Sequence, residues 1–195
     1  MNFLAHLHIA HHCDSSLLGN LLGDFVRGDP SKVYSPELTR GIRLHRFVDS
    51  YTDSAEIITS AKQLFPQGPR RFSGIALDVF WDHCLASHWS DYHDLPLANF
   101  CLQSEMTIKQ TPSGELPERF LLVSDNMWRG RWLESYQDVD NIEIALTRMS
   151  QRRATMAPIK TCFPYLERHY DELQQIFSAF YPALLRSSQD FSGES

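Results

Sequence analysis

Along most of the chain, large apolar residues return every three or four positions, and alternating runs rich in Val and Ile are nearly absent. That spacing predicts amphipathic helices rather than half-buried strands. Residues 2–12, NFLAHLHIAHH, fit a first helix, although Phe3, Ala5, Leu7 and Ile9 also alternate and periodicity alone does not decide between helix and strand. Leu18, Leu21, Leu22 and Phe25 form a stripe that predicts a helix over 15–27, capped by Asp14 or Ser15 and stopped at Gly28-Asp29-Pro30. Pro36-Glu37 predicts the start of a helix over 36–51, and Thr52-Asp53 caps a further segment ending near Phe65. Residues 74–89, about Pro96–Gln110, 117–135, 141–153 and 159–185 complete the pattern; Gly130 weakens the middle of one segment and Pro164 starts or bends another. The expected architecture is all-α, a single helical bundle of seven to eight helices with short connections.

The segment 74–89, GIALDVFWDHCLASHW, organises this expectation. At 100° per residue, Leu77, Trp81, Leu85 and Trp89 share a broad face, yet Asp78 falls near its centre and Asp82 and His83 lie close by. Carboxylates aimed at a core must be protonated, paired or liganded. The stripe Leu38, Ile42, His45, Asp49 likewise runs from apolar into an i,i+4 histidine-carboxylate pair, and Asp24 flanks the stripe of the preceding helix. His6 lies four residues after Asn2, so the two share a helical face.

Composition narrows the setting. A chain of 195 residues with 43% hydrophobic content can bury a core as one domain, expected over 1–188 with a fraying tail at 189–195. Neither a secretory signal nor a membrane-length apolar run is present in the sequence, so a cytoplasmic location is expected, with no membrane partner. Cys13, Cys84, Cys101 and Cys162 form no CxxC pair, which argues against a zinc ribbon or redox dithiol. The net charge of −6 argues against nucleic acid as a partner. Oligomeric state has no signature in the sequence.

Asp24, His45, Asp49, Asp78, Asp82 and His83 thus come from three predicted helices, each on or beside an apolar face. Oxygen donors with a few imidazoles suit manganese, magnesium or iron better than structural zinc. One ion or a pair fits the pattern, and such ions can activate water and hold a phosphate oxygen. A buried structural network of acids and histidines is the alternative. Cys84 beside His83 does not make a nucleophile pair, because sequence neighbours do not face each other on a helix. There is no GxSxG elbow and no P-loop. Glycosidase chemistry from Asp78 and Asp82 would leave the histidines unused. Arg27, Arg40, Arg43 and Arg46 form either an anion-facing rim or a solvated face.

The blocks NFLAHLHIAH, GNLLGDFVRG at 19–28, GIRLHRFVDSYTD at 41–53 and LDVFWDHCLASHW at 77–89, followed by MSQRR at 149–153 and FPYLERHYDEL at 163–173, closely resemble bacterial acyl carrier protein phosphodiesterases over nearly the whole chain. That resemblance implies an all-helical fold distantly related to the HD-domain metal-dependent phosphohydrolases. It also implies removal of 4′-phosphopantetheine from the serine of holo-acyl carrier protein, with Mn2+ favoured and Mg2+ or Fe2+ as alternatives. By the same resemblance, Asp24, His45, Asp78, Asp82 and His83 are the expected metal residues, with His6 and Asp49 as ligands or as groups that orient them. Asp24, Asp82 and His83 are the expected catalytic groups, and Arg27, Arg43, Arg46, Arg152 and Arg153 the expected substrate contacts. The adjacent pair reads Asp82-His83, the reverse of the HD order, so the ordinary HD register does not transfer. A nucleotide phosphohydrolase with the same centre and a noncatalytic carrier-binding module are the competing functions.

Overall fold

Ser73–Ser87 (α5) is buried almost all the way round over its middle: Ala76, Leu77 and Val79–Ala86 are closed off from solvent, Asp78 is half-open, and exposure returns only near the ends at Gly74, Ile75 and Ser87. A helix that is apolar on every side belongs at the centre of its domain, and α5 of this computed structural model holds that place. The structure describes residues 1–191. Around α5 pack Phe3–His12 (α1), Glu56–Gln63 (α4), Trp132–Ser135 (α8), Asp140–Ser150 (α9), Phe163–Arg168 (α10) and Tyr170–Gln189 (α11), with the 3-10 segments Pro69–Phe72 and Ala154–Cys162. The remaining helices are Leu17–Leu22 (α2), Pro36–Ser54 (α3), Leu97–Gln110 (α6) and Glu118–Arg129 (α7). Among the described residues there is no strand, and no helix is long and apolar enough to cross a membrane.

The all-α expectation holds, but the described chain forms eleven α-helices rather than seven to eight. The difference comes from breaks inside expected long segments. The segment 117–135 divides into α7 and α8 because the chain turns through Gly130 and Arg131, the latter left-handed at φ 48°. The segment 159–185 becomes a 3-10 run, then α10 and α11 separated at His169. The expected helix over 15–27 stops at Leu22, so Asp24 sits in the turn that follows rather than on a helical face. The tail expected at 189–195 falls mostly outside the described residues; Gln189 ends α11 and the Phe191 ring stacks on Phe47 at 4.8 Å.

Two local features position the chemistry. α2 and α3 approach backbone to backbone at Gly19 and Gly41: a Cβ on Gly19 would lie 2.7 Å from the Leu38 carbonyl oxygen, and one on Gly41 would lie 2.9 Å from the Gly19 Cα. This close approach brings the turn after α2 onto α3. The second feature is the start of α1, which lacks a side-chain cap of its own. Instead, Asp82 on α5 accepts hydrogen bonds from the backbone N–H groups of Leu4 at 2.8 Å and Ala5 at 2.9 Å. A carboxylate on unpaired N–H groups at a positive helix end satisfies donors that would otherwise be orphaned. α1 can therefore run through the core with Leu4–Ala10 buried.

Candidate metal centre

α1 and α3 each present one imidazole to the same carboxylate. His6 Nε2 lies 3.2 Å from Asp49 Oδ1, and His45 Nε2 lies 3.2 Å from Asp49 Oδ2. The two rings stack with centroids 3.8 Å apart. Ligand atoms of His6, His45 and Asp49 all fall within 4.8 Å of one another. Asp24 Oδ1, from the turn after α2, stands 3.5 Å from His45 Nε2. His45 and Asp49 face one way because they are one helical turn apart on α3. His6 reaches them because the Asp82 cap fixes the start of α1.

The cluster is asymmetric in charge. Burial, reinforced by the neighbouring His45, pushes His6 down to about 4 despite its bond to Asp49, so its ring is neutral near pH 7. For His45, burial also pulls down, but hydrogen bonds and charge from Asp24 and Asp49 outweigh it and raise the ring to about 9. Burial works to raise Asp49, and its bonds to His45 and His6 outweigh that, holding its carboxyl well below the usual range. Asp24 is lowered in the same way, with His45 overcoming its burial. His45 is thus an imidazolium between two carboxylates. Its Nδ1 and that of His6 are buried without a hydrogen-bond partner.

An ammonium completes the arrangement. The buried Met1 α-amine contacts Asp78 Oδ1 at 2.8 Å and Asp49 Oδ1 at 3.4 Å. Burial opposes its charge, but Asp78 and Asp49 prevail and raise it to about 10. Burial pushes Asp78 upward against the pull of that ammonium. Hydropathy patterns carry no sign of this contact, because a main-chain amine is not a side chain.

The structure therefore brings together Asp24, His45 and Asp49 with His6, and places Asp78 beside them through Met1. Asp82 and His83 point elsewhere. Asp82 is fully buried against the start of α1, and burial raises its carboxyl to about 7 in spite of the two backbone bonds that favour its charge. The Nδ1–H of His83 donates to the Tyr136 carbonyl at 2.7 Å, which leaves Nε2 to accept from the Tyr170 hydroxyl at 2.8 Å. Of the arginines, Arg46 donates to the carbonyls of Val26 and Gly28, both at 2.8 Å, and so ties the turn carrying Asp24 to α3. Arg43 lies 3.7 Å from Asp29, and Arg27 is exposed beside that turn. Arg152 and Arg153 are exposed beyond the end of α9.

A family profile described as acyl carrier protein phosphodiesterase matches residues 1–184. The chain belongs to that family. It is 44% identical over 187 residues to an acyl carrier protein phosphodiesterase of Pectobacterium atrosepticum, covering 95% of this chain and 96% of the relative. It is 41% identical to proteins of the same name from Klebsiella pneumoniae, over 97% of this chain and 98% of the relative, and from Salmonella dublin, over 95% and 96%. No solved structure matches it.

Proposed function

We propose that this chain hydrolyses the phosphodiester that joins 4′-phosphopantetheine to the serine of holo-acyl carrier protein, releasing apo-carrier, with a divalent ion held by His6, His45, Asp49 and Asp24. The observation that carries the metal reading is the convergence of His6 Nε2 and His45 Nε2 on the two oxygens of Asp49, each at 3.2 Å. The donors fit such an ion: two imidazoles and the Asp49 carboxylate within 4.8 Å of one another, the Asp24 carboxylate 3.5 Å from His45, no sulfur, and one imidazole already neutral. That set suits Mn2+, with Fe2+ and Mg2+ as the alternatives, as one ion or two. When bound, the ion polarises a phosphoryl oxygen and makes water more acidic.

The protein's own groups divide the remaining work. Asp24 is the most open of the four, with its side chain 58% exposed, and accepts the proton of an attacking water at the solvent edge. Asp49 holds both imidazoles in orientation. Asp78 and the Met1 ammonium form the neighbouring wall, where the buried ammonium holds the Asp78 and Asp49 carboxylates in place. Asp82 and His83 act as positioning residues: Asp82 sets α1 and with it His6, and His83 pins Tyr136 and Tyr170 to α5. Arg27 and Arg43 serve as carrier contacts near the turn of Asp24, while Arg46 holds that turn in place.

The distant relation to HD-domain phosphohydrolases belongs to this reading and draws its support from histidine and aspartate donors on separate helices. The reading also places the enzyme in the cytoplasm with its acidic protein substrate, without nucleic acid. The test is incubation of purified protein and holo-carrier with Mn2+, followed by mass spectrometry of the carrier. Loss of the phosphopantetheine mass, abolished by chelation, is expected. An unchanged carrier mass with folded, metal-loaded protein would overturn the proposal, and preferential hydrolysis of nucleotides would favour a nucleotide phosphohydrolase.

A further inference from the structure

A cavity of about 150 Å³ opens between α8 and α9, walled by Trp132, Tyr136, Ala145, Met149, Arg148 and Arg152. Tyr136 connects it to the metal centre. Its hydroxyl lies 3.5 Å from Asn2 Nδ2, and the residue before Asn2 is Met1, whose amine touches Asp49 and Asp78. The cavity wall and the cluster are thus linked through two consecutive residues. Arg148, in the last turn of α9, and Arg152, just beyond its end, stand on the rim, both exposed. Among the described residues, neither makes a hydrogen bond or ion pair. They lie in a stretch, 144–166, that contains no Asp or Glu in a chain of net charge −6.

We propose that this cavity is the subsite for the pantetheine arm of the substrate, seating its methyl and methylene groups on Trp132, Ala145 and Met149 while the Arg148 and Arg152 guanidinium groups donate to its amide carbonyls. The inference rests on the hydrolysis reading above and names where the phosphopantetheine arm lies once its phosphate is at the cluster. Three observations favour this occupant. The lining pairs an apolar floor with unspent donors, as an arm of alternating alkyl and amide groups requires. The volume is well below the ~300–1,000 Å³ of pockets that enclose compact drug-sized ligands, which suits part of a thin chain better than a base and ribose together. The position favours it as well, because Tyr136 of the cavity wall is joined to Asp49 and Asp78 of the cluster through Asn2 and Met1.

Two variants test the subsite. Ala145→Trp fills the floor, and Arg148→Glu, at an exposed position, reverses a rim charge without entering the core. Binding of free pantetheine to the metal-free protein is followed by ligand-observed NMR, and kcat/KM is measured with holo-carrier, folding being checked by circular dichroism. Pantetheine binding by the unaltered protein, lost in both folded variants, with kcat/KM reduced by about tenfold or more, is the expected result. If Ala145→Trp fails to fold, Arg148→Glu alone decides. Absence of pantetheine binding to the unaltered protein, or variants that bind it and turn over holo-carrier normally, would overturn the subsite. Pantetheine binding that the variants abolish, in a protein that leaves holo-carrier intact, would support the subsite while refuting the hydrolysis reading.

Discussion

Gly23 and His45 occupy adjoining space so tightly that a Cβ built on Gly23 would overlap the His45 ring. The backbone of Gly23 is ordinary right-handed helix, φ −50° and ψ −41°, which alanine adopts freely. Glycine is therefore required at this position by the imidazole and not by its own dihedral angles. Gly23→Ala is expected to displace the ring from Asp49 and Asp24. Misplacement of a ligand by about 1 Å removes on the order of 10²-fold of activity, so holo-carrier turnover should fall by about that factor, with weaker Mn2+ binding. Turnover like that of the unaltered protein would show that the position of the His45 ring does not matter.

Asp82 separates support from chemistry. Its carboxylate is fully buried and accepts from Leu4 and Ala5. Asp82→Asn keeps the shape but replaces one acceptor oxygen with an NH2 that faces an N–H donor. Leaving a buried donor unsatisfied costs about 1–3 kcal/mol, which chemical denaturation of the metal-free protein would register as a lower midpoint. Activity should fall as well, through His6 at the loosened end of α1. Unchanged stability combined with lost Mn2+ binding would instead identify Asp82 as a ligand.

The cluster also predicts opposite pH slopes for stability and for metal binding. His45 is raised from 6.5 to about 9 in the fold, so its stabilisation is complete below pH 6.5 and is lost as pH rises toward 9. The Met1 amine, raised from 8.0 to about 10, extends that loss to higher pH. His6, lowered from 6.5 to about 4, works the other way: its contribution is present above 6.5 and is lost as pH falls toward 4. Asp82, raised from 3.8 to about 7, offsets the His6 slope on the acid side, and metal-free protein should lose stability as pH rises from 6.5 toward 9. Metal must displace the His45 proton, so its apparent affinity should rise about tenfold per pH unit over the same interval. Calorimetric titration with Mn2+ in buffers of different ionisation enthalpy would measure that proton; a pH-independent affinity would mean that His45 is not displaced.

How much of this was readable from the chain depends on the kind of contact. The pairing of His45 with Asp49 is local, four residues apart on one helix, and spacing alone exposes it. α5 was visible as the most apolar acid-bearing segment, but a helical wheel presumes one buried face, and a helix enclosed on all sides gives no phase for deciding where Asp78, Asp82 and His83 point. Their partners, Met1, Leu4, Ala5, Tyr136 and Tyr170, are 53–87 residues away. No periodicity encodes such contacts, and backbone partners leave no compositional trace. The extra helices arise the same way, from single turns at Arg131 and His169 that interrupt an apolar stripe without erasing it.

His83 gives the sharpest contrast between a residue that performs chemistry and one that places others. Both of its ring nitrogens are engaged, Nδ1–H to the Tyr136 carbonyl and Nε2 from the Tyr170 hydroxyl, and burial keeps the ring neutral by lowering its affinity for a proton. A proton donor to a leaving serine oxygen needs a free N–H directed at substrate, and this ring has none. His83→Gln can preserve one of the two bonds. It should lower stability by about 1 kcal/mol while retaining holo-carrier turnover within about tenfold, whereas Asp49→Asn, which removes the charge shared by both imidazoles, should abolish turnover with the fold intact. Measured side by side, a His83→Gln loss as deep as that of Asp49→Asn, at unchanged stability, would move His83 from the frame of the site into its chemistry.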